Sequence, residues 1–363
     1  MKRLLATGLL ECAIVCLAAA ADDLAKAAEK TALREPFWNS KVMENEPVLF
    51  VQENDKPVAT GKLLFTPSGK LKITHPDVVM TYEEGKDYIW KPETGMIELT
   101  SSSRIPFKTS AQMTPPPGSP NTLLGHLFSE GHFFHDLQVQ VTYQHDDAFA
   151  WQPVPPAQLL TRSLNKLQSK KAFKIVAMGD SITQGFNASG FVRVSAPPYQ
   201  PPYPQLVANT LEKRFGSPVT VVNLGIAGRT ASLGFTQLDK LKTENPDLIA
   251  ISFGMNHGEK APAFEEIMRK LLAAVQETCP DADVVLVSTM TQRLPADKFI
   301  GYRDALAKMV TANVALADVT TPWIEILKRK PFSDVSGNNI NHPNDFGHRL
   351  YAWVICELFP VKT

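Results

Sequence analysis

The sequence carries no net charge: 37 Lys and Arg balance 37 Asp and Glu among 363 residues. That excludes the basic footprint of a nucleic-acid binder and steering toward anionic lipid. Cysteine is scarce, with four in all, and Cys12 and Cys16 fall within the first twenty residues. Cys279 and Cys356 alone cannot make a disulfide-rich scaffold. They either pair in an oxidising compartment or stay as two buried thiols; the apolar helical pattern around Cys356 favours the second. Long apolar runs are also missing. The one candidate, Leu4 to Ala20, is short for a membrane span. No internal repeat or low-complexity tract is visible. What is present is an ordinary folded composition, 44% hydrophobic and 20% charged, which excludes disordered and collagen-like chains. The length predicts two domains at about 100–200 residues each.

Lys2 and Arg3 precede the apolar run, which ends in Ala18-Ala19-Ala20-Ala21. This is the pattern of a secretory signal peptide over residues 1–20, cleaved near Ala20 or Ala21, although Glu11 interrupts it. Export to the periplasm or the medium is the expectation, with no stable membrane insertion after cleavage. Residues 21–45 are charged and alanine-rich, a short helix or a loose leader. From 46 to 150, short apolar runs such as Val48–Val51 and Lys62–Phe65 alternate with turn signals. Leu137 to Tyr143 alternates with period two. Several short strands at close spacing predict an all-β module, a sandwich rather than a barrel. The Pro-rich stretch Met113–Pro120 reads as a loop. Residues 151–171, with Pro153, Pro155 and Pro156 and then a polar helical stretch, read as the connection to a second domain.

From 172 to 363 the rhythm changes. Continuous apolar runs at Ile175–Met178, Val219–Val222, Leu248–Phe253 and Val284–Val287 alternate with helical patterns at Tyr203–Phe215, Phe264–Thr278 and Phe299–Val314. Buried strands alternating with helices predict an α/β fold, a parallel sheet covered on both faces as an α/β/α three-layer stack. In such sheets the site lies beyond the carboxyl ends of the strands.

Four segments follow those ends. After the first strand comes Gly179-Asp180-Ser181-Ile182-Thr183, where a serine at a strand-to-helix turn is either a nucleophile or a helix cap. After the second comes Asn223-Leu224-Gly225-Ile226-Ala227-Gly228, a tight turn without the Gly-x-Gly-x-x-Gly spacing of a nucleotide site. After the third comes Gly254-Met255-Asn256-His257, whose amide either donates to an oxyanion or satisfies its own loop. Near the C-terminus, Asn338 to His348 precedes the last helix, with His342 on the loop as a candidate general base and Asp345 as the expected N-cap.

The four segments, in this order, resemble the SGNH (GDSL-type) hydrolase superfamily over about residues 172–360. The resemblance implies Ser181 as nucleophile and His342 as base. It implies an oxyanion hole from the N–H of Ser181, the N–H of Gly228 and the side-chain amide of Asn256. It implies acyl transfer through an acyl-serine, with no metal and no organic cofactor.

Two positions depart from the pattern. His257 stands where the family often has Asp after the Asn. Asn339 stands where an Asp usually precedes the catalytic His by three residues. In a serine-protease triad the Asp→Asn change costs roughly 10⁴ in turnover. An Asn carbonyl can still accept the imidazole N–H. The expectation is therefore a Ser181–His342 dyad oriented by Asn339 or by a main-chain carbonyl, with Asp334 as the weaker candidate.

His126, His132 and His135 with Glu130 also invite a zinc reading, but Phe133, Phe134 and the strand that follows favour packing, so no metal is expected. Secretion, a β-rich module and a dyad resemble carbohydrate O-acetyl esterases, with a small ester or polysaccharide as substrate partner and no nucleic acid. A lipase or lysophospholipase is the alternative, and a catalytically silent carbohydrate- or partner-binding protein is the third reading.

Overall fold

A computed structural model describes residues 33–153, 159–293 and 295–361. The expected signal segment, the first part of the leader and Pro155 and Pro156 lie outside the described residues. Among the described residues no helix is long and apolar enough to cross a membrane.

Among the described residues, ten short strands form in the N-terminal region. They are β1 (Val42–Val48), β2 (Phe50–Gln52), β3 (Thr60–Lys62), β4 (Lys72–Thr74), β5 (Tyr88–Lys91), β6 (Met96–Leu99), β7 (Phe107–Thr109), the hairpin β8 (Thr122–Leu123) and β9 (His126–Leu127), and β10 (Val139–Gln144). β1, β10 and β4 make an antiparallel sheet. β5, β6, β3, β2 and β7 make a second, in which β2 and β7 run parallel. Val48, Ile73 and Val141 of the first sheet share an apolar cluster with Phe50, Ile97 and Leu99 of the second. The fit between them is close: a Cβ on Gly61 would lie 2.4 Å from Val48 Cγ1. The run Val48–Val51 is not one strand but the junction of β1 and β2. Leu137 closes a helical turn, Phe133–Leu137, ahead of β10.

The C-terminal region is a parallel sheet in the order β12-β11-β13-β14-β15, from β11 (Phe173–Gly179), β12 (Val219–Asn223), β13 (Leu248–Ser252), β14 (Asp283–Val287) and β15 (Val314–Ala317). Alternate side chains enter different cores, as period two requires. Ile175, Ala177, Leu248, Ala250, Val285 and Val287 pack with helices Tyr203–Phe215 and Asp345–Cys356. Val176, Met178, Ile249, Ile251, Val284 and Leu286 pack with helices Ala261–Thr278 and Asp297–Ala307. Both faces are covered, which explains the unbroken apolar runs. The strand β15 corrects the helix expected to run to Val314. That helix ends at Ala307, and Val314 instead pairs with Val284. The first strand in sequence lies inside the sheet, so the chain reverses direction of travel at the end of β11, where Ser181 stands.

The two regions are not joined by a simple tether. Helix Thr161–Gln168, within the expected connection 151–171, packs on the sheet, with Ser163 N donating to Asp283 Oδ2 at 2.8 Å and Lys166 Nζ on Asp247 Oδ1 at 2.5 Å. Phe37 and Trp38, in the expected leader, are buried; Phe37 stacks on Phe346 at 5.7 Å and meets Trp353 edge-on. Two adjacent aromatics with partners on the last helix turn that segment into core. Between the regions, Lys330 is fully buried. Its Nζ lies 2.5 Å from Glu46 Oε1, 3.0 Å from Asp334 Oδ2 and 2.8 Å from Lys62 O. Burial opposes the charge on Lys330, but the two carboxylates outweigh it and its pKa is raised. Cys279 and Cys356 are buried and unpaired; burial pushes the Cys356 thiol up to about 12.

Candidate active site

Asp180 follows β11 in extended conformation and caps the four-residue helix Ser181–Gln184, its Oδ1 accepting from Ile182 N at 3.0 Å. Burial pushes this carboxyl up to about 6. The capping role therefore falls to Asp180, which leaves the Ser181 hydroxyl for other chemistry. The following loop lies directly on this helix: a Cβ on Gly225 would sit 2.4 Å from Gln184 N. Gly228 holds φ at +72°, a region that L side chains rarely adopt.

Ser181 Oγ is 2.9 Å from His342 Nε2, and both residues are buried. For Nε2 to accept the serine proton, the neutral imidazole must carry its hydrogen on Nδ1. Nδ1 faces Asn187 Oδ1 at 2.9 Å. The orientation of that amide is set by its other end, since Asn187 Nδ2 donates to Gly131 O at 3.2 Å and Gly337 O at 3.0 Å. The oxygen is thereby turned to the histidine.

A second acceptor stands close. Glu130 Oε1 is 3.3 Å from His342 Nδ1, its side chain about one-third exposed. Burial works to raise the Glu130 pKa, but the hydrogen bond and charge of His342 outweigh it and the net direction is down. Asn338 Nδ2 also lies 3.0 Å from Nδ1, but it has acceptors in Glu130 Oε1 and Asn341 Oδ1, each at 2.9 Å. Its Oδ1 caps the loop by accepting from the N–H of Ile340, Asn341 and His342.

The expected orienter stands elsewhere. Asn339, at φ +67°, accepts from Arg293 Nη1 at 2.8 Å and donates to Leu127 O at 2.8 Å. Both ends of its amide are spent on binding the loop to its neighbours. Asp334 is committed to Lys330 and to Leu49 N, where burial holds its carboxyl at about 6. The N-cap of the last helix is Asn344 rather than Asp345; Asp345 Oδ1 instead accepts from Ser189 N at 2.7 Å.

On the opposite side, Asn256 Nδ2 donates to Arg229 O at 3.1 Å. His257, one of the two departures, ties the same loops together. It is buried; its Nε2 accepts from Ala231 N at 2.9 Å and its Nδ1 faces Glu259 Oε2 at 3.0 Å. Burial lowers its pKa against the pull of Glu259. The loop carrying Gly228 and the loop carrying Asn256 are thus linked by two hydrogen bonds.

The histidine cluster of the β-rich region disperses. His132 pairs with Asp136, His135 Nε2 meets Pro197 O at 2.8 Å, and Glu130 turns to His342. Among the described residues no group of three His, Cys, Asp or Glu is arranged to hold a metal ion.

Residues 177–350 match the GDSL-like Lipase/Acylhydrolase family. Among solved structures, a two-domain esterase active on acetylated mannans, co-crystallized with mannopentaose, matches at TM-score 0.43 and 23% identity, over 54% of this chain and 52% of that one. An acetyl xylan esterase variant from Geobacillus stearothermophilus matches at TM-score 0.42 and 20% identity, over 53% of this chain and 99% of that one. A carbohydrate esterase family 3 protein from Talaromyces cellulolyticus matches at TM-score 0.40 and 16% identity, over 50% of this chain and 94% of that one. The chain spans about half the length of the two-domain esterase. No curated protein matches it.

Proposed function

Because residues 177–350 match the GDSL-like lipase/acylhydrolase family, we propose that the chain is an exported serine ester hydrolase removing acetyl or other short acyl groups from a carbohydrate. Ser181 attacks the ester carbonyl while His342 takes its proton. The oxyanion is met by the N–H of Ser181, the N–H of Gly228 and the amide of Asn256. The alcohol leaves with a proton from His342, and water resolves the acyl-serine by the same route.

The observation that carries this reading is the 2.9 Å contact between Ser181 Oγ and His342 Nε2, with Nδ1 on an amide oxygen of fixed orientation. What supports a carbohydrate alcohol is the polar setting of His342, the group that hands the leaving alcohol its proton. Glu130, Asn338 and Asn341 lie beside it, and Arg193 stacks over Phe186, whose ring is 5.1 Å from the imidazole. Of these, Glu130 and Asn341 are partly exposed and Arg193 is exposed, and such donors and acceptors suit a polyol. Export is supported by the basic start and the apolar run to Ala20.

Hydrolysis of p-nitrophenyl acetate and p-nitrophenyl octanoate, with Ser181→Ala as control, tests the reading. Acetate turnover is expected to exceed octanoate turnover and to fall by roughly 10³-fold or more in the variant. A preference for octanoate would move the substrate to lipid esters. No difference between the chain and its variant on either ester would point to a silent binder.

A further inference from the structure

The β-rich region supplies a carboxylate that the α/β region lacks at its own expected position. We propose that Glu130 is a positioning and charge-balancing residue for His342, so that the dyad is completed across the two regions. This rests on the esterase reading above.

The work that one Asp does in a serine triad is divided here. Asn187 fixes the ring: its amide cannot turn without losing Gly131 O and Gly337 O, and its neutral carbonyl oxygen lies 2.9 Å from Nδ1, where it accepts the N–H. An amide oxygen offers only a dipole to the imidazolium formed during acylation. Glu130 brings a full negative charge 3.3 Å from the same nitrogen. The carboxylate is itself held in place, by Asn338 Nδ2 at 2.9 Å. Its backbone neighbour Gly131 accepts from Asn187, so one short loop serves both partners of the ring. At this distance an opposite charge favours the protonated imidazole.

The other charged groups around the pair are few. Asp180 acts on His342 from the nucleophile turn and His348 from the last helix, while Arg193 acts on Glu130 from the loop beyond Asn187. Burial pushes His348 down to about 4, so it stays neutral in the working range.

Glu130→Gln tests the assignment, because it keeps the shape and removes the charge. The imidazolium loses its counter-charge, so the acid limb of kcat/KM for p-nitrophenyl acetate should move to lower pH, on the order of one unit. The plateau should fall about 10-fold or more, mostly in kcat. Direct titration of the His342 imidazole by NMR, in the chain and in Glu130→Gln, reads the same shift without turnover. Glu130→Asp, one methylene shorter, should lie between the two. If Glu130→Gln keeps both the rate and the acid limb, and the imidazole titrates unchanged, the assignment is overturned while the esterase stands. If the unaltered chain hydrolyses no faster than Ser181→Ala, the esterase reading falls and this inference with it.

Discussion

The α/β region builds its share of the site from strand ends, whereas the β-rich region builds its share from loops docked across an interface. Ser181, Gly228 and Asn256 each lie on the turn that follows a strand, at β11, β12 and β13. Their positions depend on the sheet register and on turns such as that at Gly228. Glu130 and Gly131 lie on a segment outside the ten strands, held by contacts to Asn338 and Asn187. The first kind of placement is local and leaves a pattern in the chain. The second is tertiary and leaves almost none. In the proposed site, the histidine is thus supported by a region that shares no strand with the serine.

The interface between the two regions is where the largest effect is expected. Lys330→Met removes the cation between two buried carboxylates, Glu46 and Asp334. Breaking a buried pair by removing one partner costs about 3–5 kcal/mol. Urea denaturation should show that loss, with the two regions unfolding in one transition. Unchanged stability, or two separated transitions with the first confined to the β-rich region, would mean that the interface is not integral to the fold.

A smaller effect is expected from Asn187→Ala, which removes the ring's orienting acceptor while leaving Glu130 beside it. The expected loss in kcat is roughly 10²-fold, below the ~10⁴ seen when a serine-protease triad loses its carboxylate, with little change in KM. Full activity in this variant would show that Glu130 alone suffices to orient His342.

How much of this was legible in the sequence follows the same division. The helix Tyr203–Phe215 could be read from its helical pattern and the four strands from their continuous apolar runs, because each is set by its own burial. The strand β15 was missed because Val314 to Ala317 is too short and too alanine-rich to stand out against the preceding helix. The partners of His342 were missed for a different reason. Asn187 carries a positive φ that an asparagine tolerates, but nothing local says that its oxygen faces a histidine. Glu130 drew attention as part of a histidine-rich stretch, yet its partner lies 212 positions along the chain at His342, and only the fold joins them. Asn339 was a reasonable expectation by spacing; its left-handed backbone turns the amide to Arg293 and Leu127 instead.

In the proposed reaction Ser181, activated by His342, is the attacking nucleophile. The most direct measurement is treatment with a fluorophosphonate, followed by peptide mass analysis. One adduct is expected, on Ser181, absent in Ser181→Ala and slower to form in Asn187→Ala. No adduct, or an adduct on another residue, would contradict that role.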